Sequence, residues 1–282
     1  MIRLAVRVSR ERAEIVLAEL LELAPAGVEE SAPSPDLIEY AVYGAPGELP
    51  TLPELNALAG DALVEISTSE LPDDWSKRWR AFHRPVLVPA VAPSVPALVV
   101  RPPWESASED TGVMEIVIDP GQAFGTGGHA TTRMCLELLL ELAAAEPSRG
   151  PVLDVGTGSG VLAIAAARLG YEPILALDLE RESVLAAREN AAVNGVELDV
   201  RRADLRREPL PAGPGVVVLA NLLRPLLLEL PEALVCPPAH LIAGGLLAHE
   251  ADEVAGALAR RLGLAERRRT GDGEWAALWL AS

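Results

Sequence analysis

Three glycines at alternate positions, Gly156, Gly158 and Gly160 in "VLDVGTGSGVLAIAA", stand where an apolar run of strand type gives way to a helical one. Glycines at such a turn let the backbone approach a ligand closely, and the helix behind them offers free N–H groups. A dinucleotide fingerprint places its third glycine at position 161, where this chain has Val161, so the G-x-G-x-G spacing suits a ligand without a pyrophosphate. Two carboxylates add to this. Asp178 ends the run "ILALD", where it can accept hydrogen bonds from both hydroxyls of a ribose, and Asp204 in "RRADL" stands where an adenine amino group would fall. Each acid taken singly is also a natural turn or helix-capping residue.

A second glycine-rich stretch, "DPGQAFGTGGHATT", covers residues 119–132. A triphosphate loop would follow its last glycine with Lys and then Ser or Thr, whereas Gly128 precedes His129 and Ala130. His129 has no evident carboxylate partner and reads as a loop histidine making local hydrogen bonds. Thr131 and Thr132 are placed to cap the helix "RMCLELLLELAAA".

The elements that must position these residues are legible from residue 134 onward. "PVLDVG", "PILALD", "LDVRRAD", "VVVLAN" and "HLIAGG" are short apolar runs separated by the helical stretches "VLAIAAARLG", "RESVLAARENAAVNG" and "RPLLLELPEAL", and "EWAALWLA" closes the chain as a strand. This predicts a doubly wound α/β domain whose ligands bind beyond the carboxyl ends of the strands. Residues 1–70 read differently. "IRLAVRV", "VEES", "LIEYAVY" and "ALVEIST" alternate like strands, with helical patterns in "RERAEIVLAELLELA" and "LPELNALAG", and the order βαββαβ is that of a ferredoxin-like α+β domain. Residues 71–103 are expected to form a connector, with Trp75 and Trp79 on a short helix and six prolines between Pro85 and Pro103 leaving extended segments and turns. The ligand-binding domain is then expected over 104–282.

The 282 residues give room for such a division, and half of them are apolar. No apolar run reaches the roughly 18 residues of a membrane span, and "MIRLAVRVSRERAE" has no signal-peptide core, so a cytoplasmic location with no membrane partner is expected. Cys135 and Cys236 are far apart, the histidines at 83, 129, 240 and 249 form no ligand pattern, and no metal site is expected. The net charge of −17 falls unevenly: residues 1–74 hold four arginines against fifteen carboxylates. Such a chain repels a bare phosphate backbone, which argues against direct nucleic-acid binding, and attracts a basic partner.

These residues together give the chain a family likeness. It resembles the class I methyltransferases that use S-adenosylmethionine, and more narrowly the methyltransferases of ribosomal protein L-eleven (L11), the PrmA type. The likeness is carried by "DDWSKRWRAFHRP", "RPPW", "DPGQAFGTGGHATT", "VLDVGTGSGVLAIAA", "LDLERESVLAARENAAVNGV", "LANLL" and "EWAALWLA". It implies a seven-stranded Rossmann-like methyltransferase domain, S-adenosyl-L-methionine as cofactor with S-adenosyl-L-homocysteine as product, and the N-terminal amine and lysines of L11 as acceptors. It also implies that residues 119–132 close over the cofactor, with Thr132 as a contact and Phe124 as a wall near the sulfonium, a cation that gains from an aromatic face.

Asn221, at the end of "VVVLAN", is the expected catalytic residue: its amide oxygen can accept an amine hydrogen without adding a charge, and it stands at the ligand edge of the sheet next to the cofactor. Methyltransferases of planar amino groups carry Asn-Pro-Pro-aromatic at this point; "NLLR" here fits an aliphatic amine better. The chain departs from the family at Gly245 and His249 in "IAGGLLAHE". The alternative is a class I methyltransferase acting on another protein or a small molecule; the oligomeric state is left open, with a monomer compatible.

Overall fold

The computed structural model describes residues 2–13, 16, 17, 20, 28–34, 36–44, 49, 50, 55, 63–70, 83–120 and 128–282. The chain divides into two compact units, Met1–Ala81 and Phe82–Ser282.

In the first unit, strands β1 (Ile2–Ser9), β2 (Glu29–Ser34), β3 (Leu37–Gly44) and β4 (Leu63–Glu70) form an antiparallel sheet in the order β2-β3-β1-β4. Alternation along β1 sends Leu4, Val6 and Val8 into a core shared with Ile38, Tyr40 and Val42, joined by Val16, Leu20 and Leu55. The other face carries charge. Arg7 lies opposite Glu39 on one neighbour and Glu65 on the other, and its guanidinium bridges both at 2.6 Å. Glu39 also receives Arg3 at 2.6 Å, and this hydrogen bond leads in holding its carboxyl below the usual range. The two expected helices of this unit fall largely outside the described residues, as does the helix expected to carry Trp75 and Trp79.

The second unit is built on a seven-stranded mixed sheet. Its strands are β8 (Val152–Val155), β9 (Ile174–Asp178), β10 (Asp199–Arg202), β11 (Val217–Asn221), β12 (His240–Leu247), β13 (Ala265–Asp272) and β14 (Trp275–Ala281). The order is β10-β9-β8-β11-β12-β14-β13, parallel from β10 through β12 and antiparallel for the last two. The described helices are α1 (Ala130–Ala145), α2 (Val161–Arg168), α3 (Arg181–Val193), α4 (Arg224–Ala233) and α5 (Ala251–Leu262). One core holds α1 and α2 residues such as Leu136, Leu139 and Ile164; the other holds Leu227 and Leu230 of α4 and Val254 and Leu258 of α5. Each of these fully buried leucines contributes about 1.5–3 kcal/mol. Because the chain moves outward from β8 to β10 and returns to β11 on the other side, a crevice opens beyond the carboxyl ends of β8 and β11.

The sequence reading differs from this fold in two places. Residues 71–82 of the expected connector lie outside the described residues, but its proline-rich part contributes β5 (Val86–Val88) and β6 (Leu98–Arg101), which pair with β7 (Met114–Val117) in a three-stranded sheet. Val88, Leu98, Val100 and Ile116 are buried in the same core as α1, so this stretch is part of the second unit. Strand β13 was also not expected: its "AERRRTGD" is mostly exposed, because an edge strand paired on one side only needs no apolar run.

Candidate functional site

At the crevice, a cleft of about 480 Å³ is lined by Thr132, Gly156, Gly158, Asp178, Asp204 and Asn221, together with Leu177, Leu205 and Leu222. Six of the residues singled out in the sequence therefore converge; Phe124 lies outside the described residues.

The glycine turn is held by backbone bonds from the neighbouring strand. The Gly156 and Thr157 amides donate to the Leu177 carbonyl at 2.8 and 3.0 Å. Gly156 has φ +73°, a conformation that favours glycine, and a Cβ there would stand 2.3 Å from Leu222 Cδ2, so a side chain would also displace that leucine methyl. Asp178 closes the turn: one carboxylate oxygen accepts the Gly158 amide at 2.8 Å and the other the Glu180 amide at 2.9 Å. Each oxygen keeps a lone pair for a further donor from the cleft.

Asp204 lies on the same cleft and also serves its turn. Its Oδ1 accepts the Arg206 amide at 2.9 Å, and Oδ2 is 3.4 Å from Arg207 Nε.

Thr132 is fully buried in the first turn of α1, and its Oγ1 accepts from Asn221 Nδ2 at 3.2 Å. This fixes the amide so that Asn221 Oδ1 is buried without a hydrogen-bond partner. Gly244 makes room for it: a Cβ there would be 3.0 Å from Asn221 Oδ1 and 2.4 Å from Cys135 Sγ. Gly245, a departure from the family pattern, has φ +79° and lets β12 pass against the backbone of Leu222. His249, the other departure, is exposed in a 3-10 turn over Ala248–Glu250 and does not line the cleft.

The expected threonine cap is replaced. The helix begins at Ala130, so Thr131 and Thr132 lie inside its first turn, and the cap is His129, whose Nδ1 accepts the Thr131 amide at 3.3 Å. Burial lowers the His129 pKa and favours the neutral ring that can accept, and the ring packs edge-on against Trp275 at 4.9 Å.

One buried acid was missed. Asp154, inside the apolar run "VLDV", is 1% exposed, accepts Thr157 Oγ1 at 2.6 Å, and burial pushes its pKa up to about 7. A carboxylate in a strand buried along its whole length is the signal that could have found it.

The cleft offers what a nucleoside requires, a close backbone approach at Gly156 and Gly158 and a carboxylate at Asp178, and Asn221, whose amide oxygen is buried and unpartnered, is among its lining residues.

Comparison with known proteins agrees with this arrangement. Residues 52–282 match the family "Ribosomal protein L11 methyltransferase (PrmA)". A ribosomal protein L11 methyltransferase of Geobacter metallireducens is 42% identical over 212 residues, covering 73% of this chain and 65% of that protein. Its counterpart in Symbiobacterium thermophilum is 40% identical with the same shares, and that of Geobacter sulfurreducens is 41% identical over 79% of this chain and 72% of its own length. The chain thus spans about two thirds of the length of these relatives, 65% in the first two. Among solved structures, the ribosomal protein L11 methylase of Lactobacillus delbrueckii subsp. bulgaricus matches with a TM-score of 0.56 and 30% identity, over 65% of this chain and 94% of that one. With most of its length matched by the family and its sheet order, glycine turn and cleft in place, the chain belongs to the ribosomal protein L11 methyltransferase (PrmA) family.

Proposed function

We propose that this protein transfers methyl groups from S-adenosyl-L-methionine to amino groups of ribosomal protein L11, its N-terminal amine and lysine side chains. The observation that carries the reading is Asn221: a residue at the carboxyl end of β11 that lines the cleft together with the glycine turn closed by Asp178, its amide held by Thr132 and its amide oxygen buried and unpartnered.

When bound, S-adenosylmethionine supplies a methyl group activated by its sulfonium. The chain's own residues bind and orient. Gly156 and Gly158 would let the nucleoside approach the backbone, the free lone pairs of Asp178 would accept from ribose hydroxyls, and Asp204 would accept from the adenine amino group. Displacement at carbon requires a neutral nucleophile in line with the bond that breaks. An α-amine, with a pKa of about 7.7–8.0, is partly neutral near pH 7; a lysine at about 10.4 must lose its proton on entering the site. Asn221 Oδ1 accepts an N–H of that amine, which aims its lone pair without trapping it as an ammonium ion. Leu222 supplies an apolar wall that favours the neutral form.

Residues 1–70 are proposed as a ferredoxin-like recognition domain. The all-antiparallel order β2-β3-β1-β4 is that of the split βαβ pattern, and the acidic surplus of this stretch suits a basic protein substrate. A cytoplasmic location fits a ribosomal substrate.

The test is transfer of isotope-labelled methyl from S-adenosylmethionine to unmethylated L11, set beside other basic ribosomal proteins and small amines. Label entering L11 selectively supports the proposal. Label entering only another acceptor keeps the methyltransferase and replaces its substrate.

A further inference from the structure

Helix α3 carries Asn190 on its inner face and ends at the C-cap Asn194. Ala187, Asn190, Ala191 and Asn194 follow the three-and-four spacing of an inward stripe, and the two alanines lie in the core. Asn190 is 3% exposed, and both ends of its amide are used. Nδ2 donates to the Ser159 carbonyl inside the glycine turn at 2.8 Å, while Oδ1 accepts the Asp119 amide at 3.0 Å. Asn194, one helical turn on, brackets Val117: Oδ1 accepts its amide at 2.8 Å and Nδ2 donates to its carbonyl at 2.7 Å. The helix also presses on the turn, since a Cβ on Gly160 would stand 3.1 Å from Ala187 Cβ.

Packing alone would be satisfied by an apolar side chain at 190, as it is at 187 and 191. The amide instead ties together two backbone segments that are 40 residues apart, Asp119 and Ser159. Ser159 belongs to the turn whose Gly156 and Gly158 line the cleft, and Asp119 lies two residues beyond the last residue of β7, Val117.

We propose that Asn190 is a positioning residue for cofactor capture: through Ser159 it anchors the glycine turn against the backbone at Asp119, so the turn that lines the cleft is set before the ligand arrives. This inference rests on the methyltransferase reading above.

Two full-length variants test it. Asn190→Leu keeps the branched shape without polar atoms; Asn190→Asp keeps the acceptor for Asp119 and removes the donor to Ser159. Calorimetric titration gives the Kd for S-adenosylmethionine, melting of the ligand-free protein reports packing, and steady-state kinetics separate cofactor KM from kcat. The expected result is a Kd and cofactor KM about tenfold weaker in both variants, with kcat at saturating cofactor within about twofold of the parent. The ligand-free Asn190→Leu protein is expected to melt below the parent, because the Asp119 amide and the Ser159 carbonyl lose their partner, so affinities are compared at a temperature where both proteins are folded. A parental Kd in either variant that folds, whatever its melting temperature, overturns the proposal and leaves Asn190 a packing residue. Failure of the parent chain itself to bind S-adenosylmethionine overturns the methyltransferase reading, and the inference with it.

Discussion

The side chains of two cleft residues, Thr132 and Asn221, are joined: the Asn221 amide nitrogen donates to the threonine hydroxyl at 3.2 Å, leaving the amide oxygen buried and unpartnered. A hydrogen bond between the first turn of α1 and the end of β11 thus decides which way the amide points. Replacing Asn221 by Ala is expected to lower kcat about 100-fold with cofactor affinity changed much less, since a misplaced nucleophile alone costs that much. Thr132→Val, which removes the acceptor that orients the amide, is expected to cost about tenfold. Single-turnover kinetics with cofactor in excess checks both.

Asp178 is the strongest handle on cofactor affinity. Asp178→Ala removes the ribose acceptor and leaves the Gly158 and Glu180 amides without the carboxylate they donate to. Hydrogen bonds to a charged group contribute about 1.5–3 kcal/mol each, so affinity is expected to fall at least about 100-fold. Calorimetric titration reads this directly; an unchanged Kd would remove Asp178 from the ribose role.

Asp154 gives the fold a pH dependence. Its pKa rises from 3.8 to about 7 on burial, so between those values the folded protein holds a proton that the unfolded chain has released. Its contribution to stability therefore falls as pH rises from about 4 to about 7 and is flat above that. Asp154→Asn should remove this slope and raise stability at pH 8 by up to ~4 kcal/mol, the amide oxygen still accepting from Thr157. Urea unfolding of both proteins at pH 5 and pH 8 tests the sign: a variant less stable than the parent at pH 8 contradicts it.

Gly244 is expected to tolerate no side chain. A methyl group there meets Cys135 Sγ at 2.4 Å and Asn221 Oδ1 at 3.0 Å, and such overpacking costs about 1–3 kcal/mol. Gly244→Ala should lower both melting temperature and kcat, and adding Cys135→Ala should recover much of the stability. The crowding of Asn221 would remain, so kcat should recover less.

The parallel strands were legible in the sequence because burial on both faces leaves continuous apolar runs, and Asp178 and Asn221 were legible because they end those runs. Strand β13 was hidden by its arginines. Arg268 and Arg269 lie on an exposed edge and pair with Glu141, Asp252 and Glu266, so no hydrophobic period marks them. The β5–β7 sheet was obscured by prolines that break local patterns without preventing short strands from pairing. The His129 cap, Gly244 and Asn190 depend on which distant group each meets, Thr131 apart, and spacing along the chain carries no trace of that.

The decisive measurement is intact-mass spectrometry of unmethylated ribosomal protein L11 after incubation with S-adenosylmethionine and either the parent protein or Asn221→Ala. The proposal requires a ladder of added methyl masses with the parent and little or none with the variant over the same time. An unshifted mass with the parent, under conditions where it binds S-adenosylmethionine, would contradict L11 as its substrate.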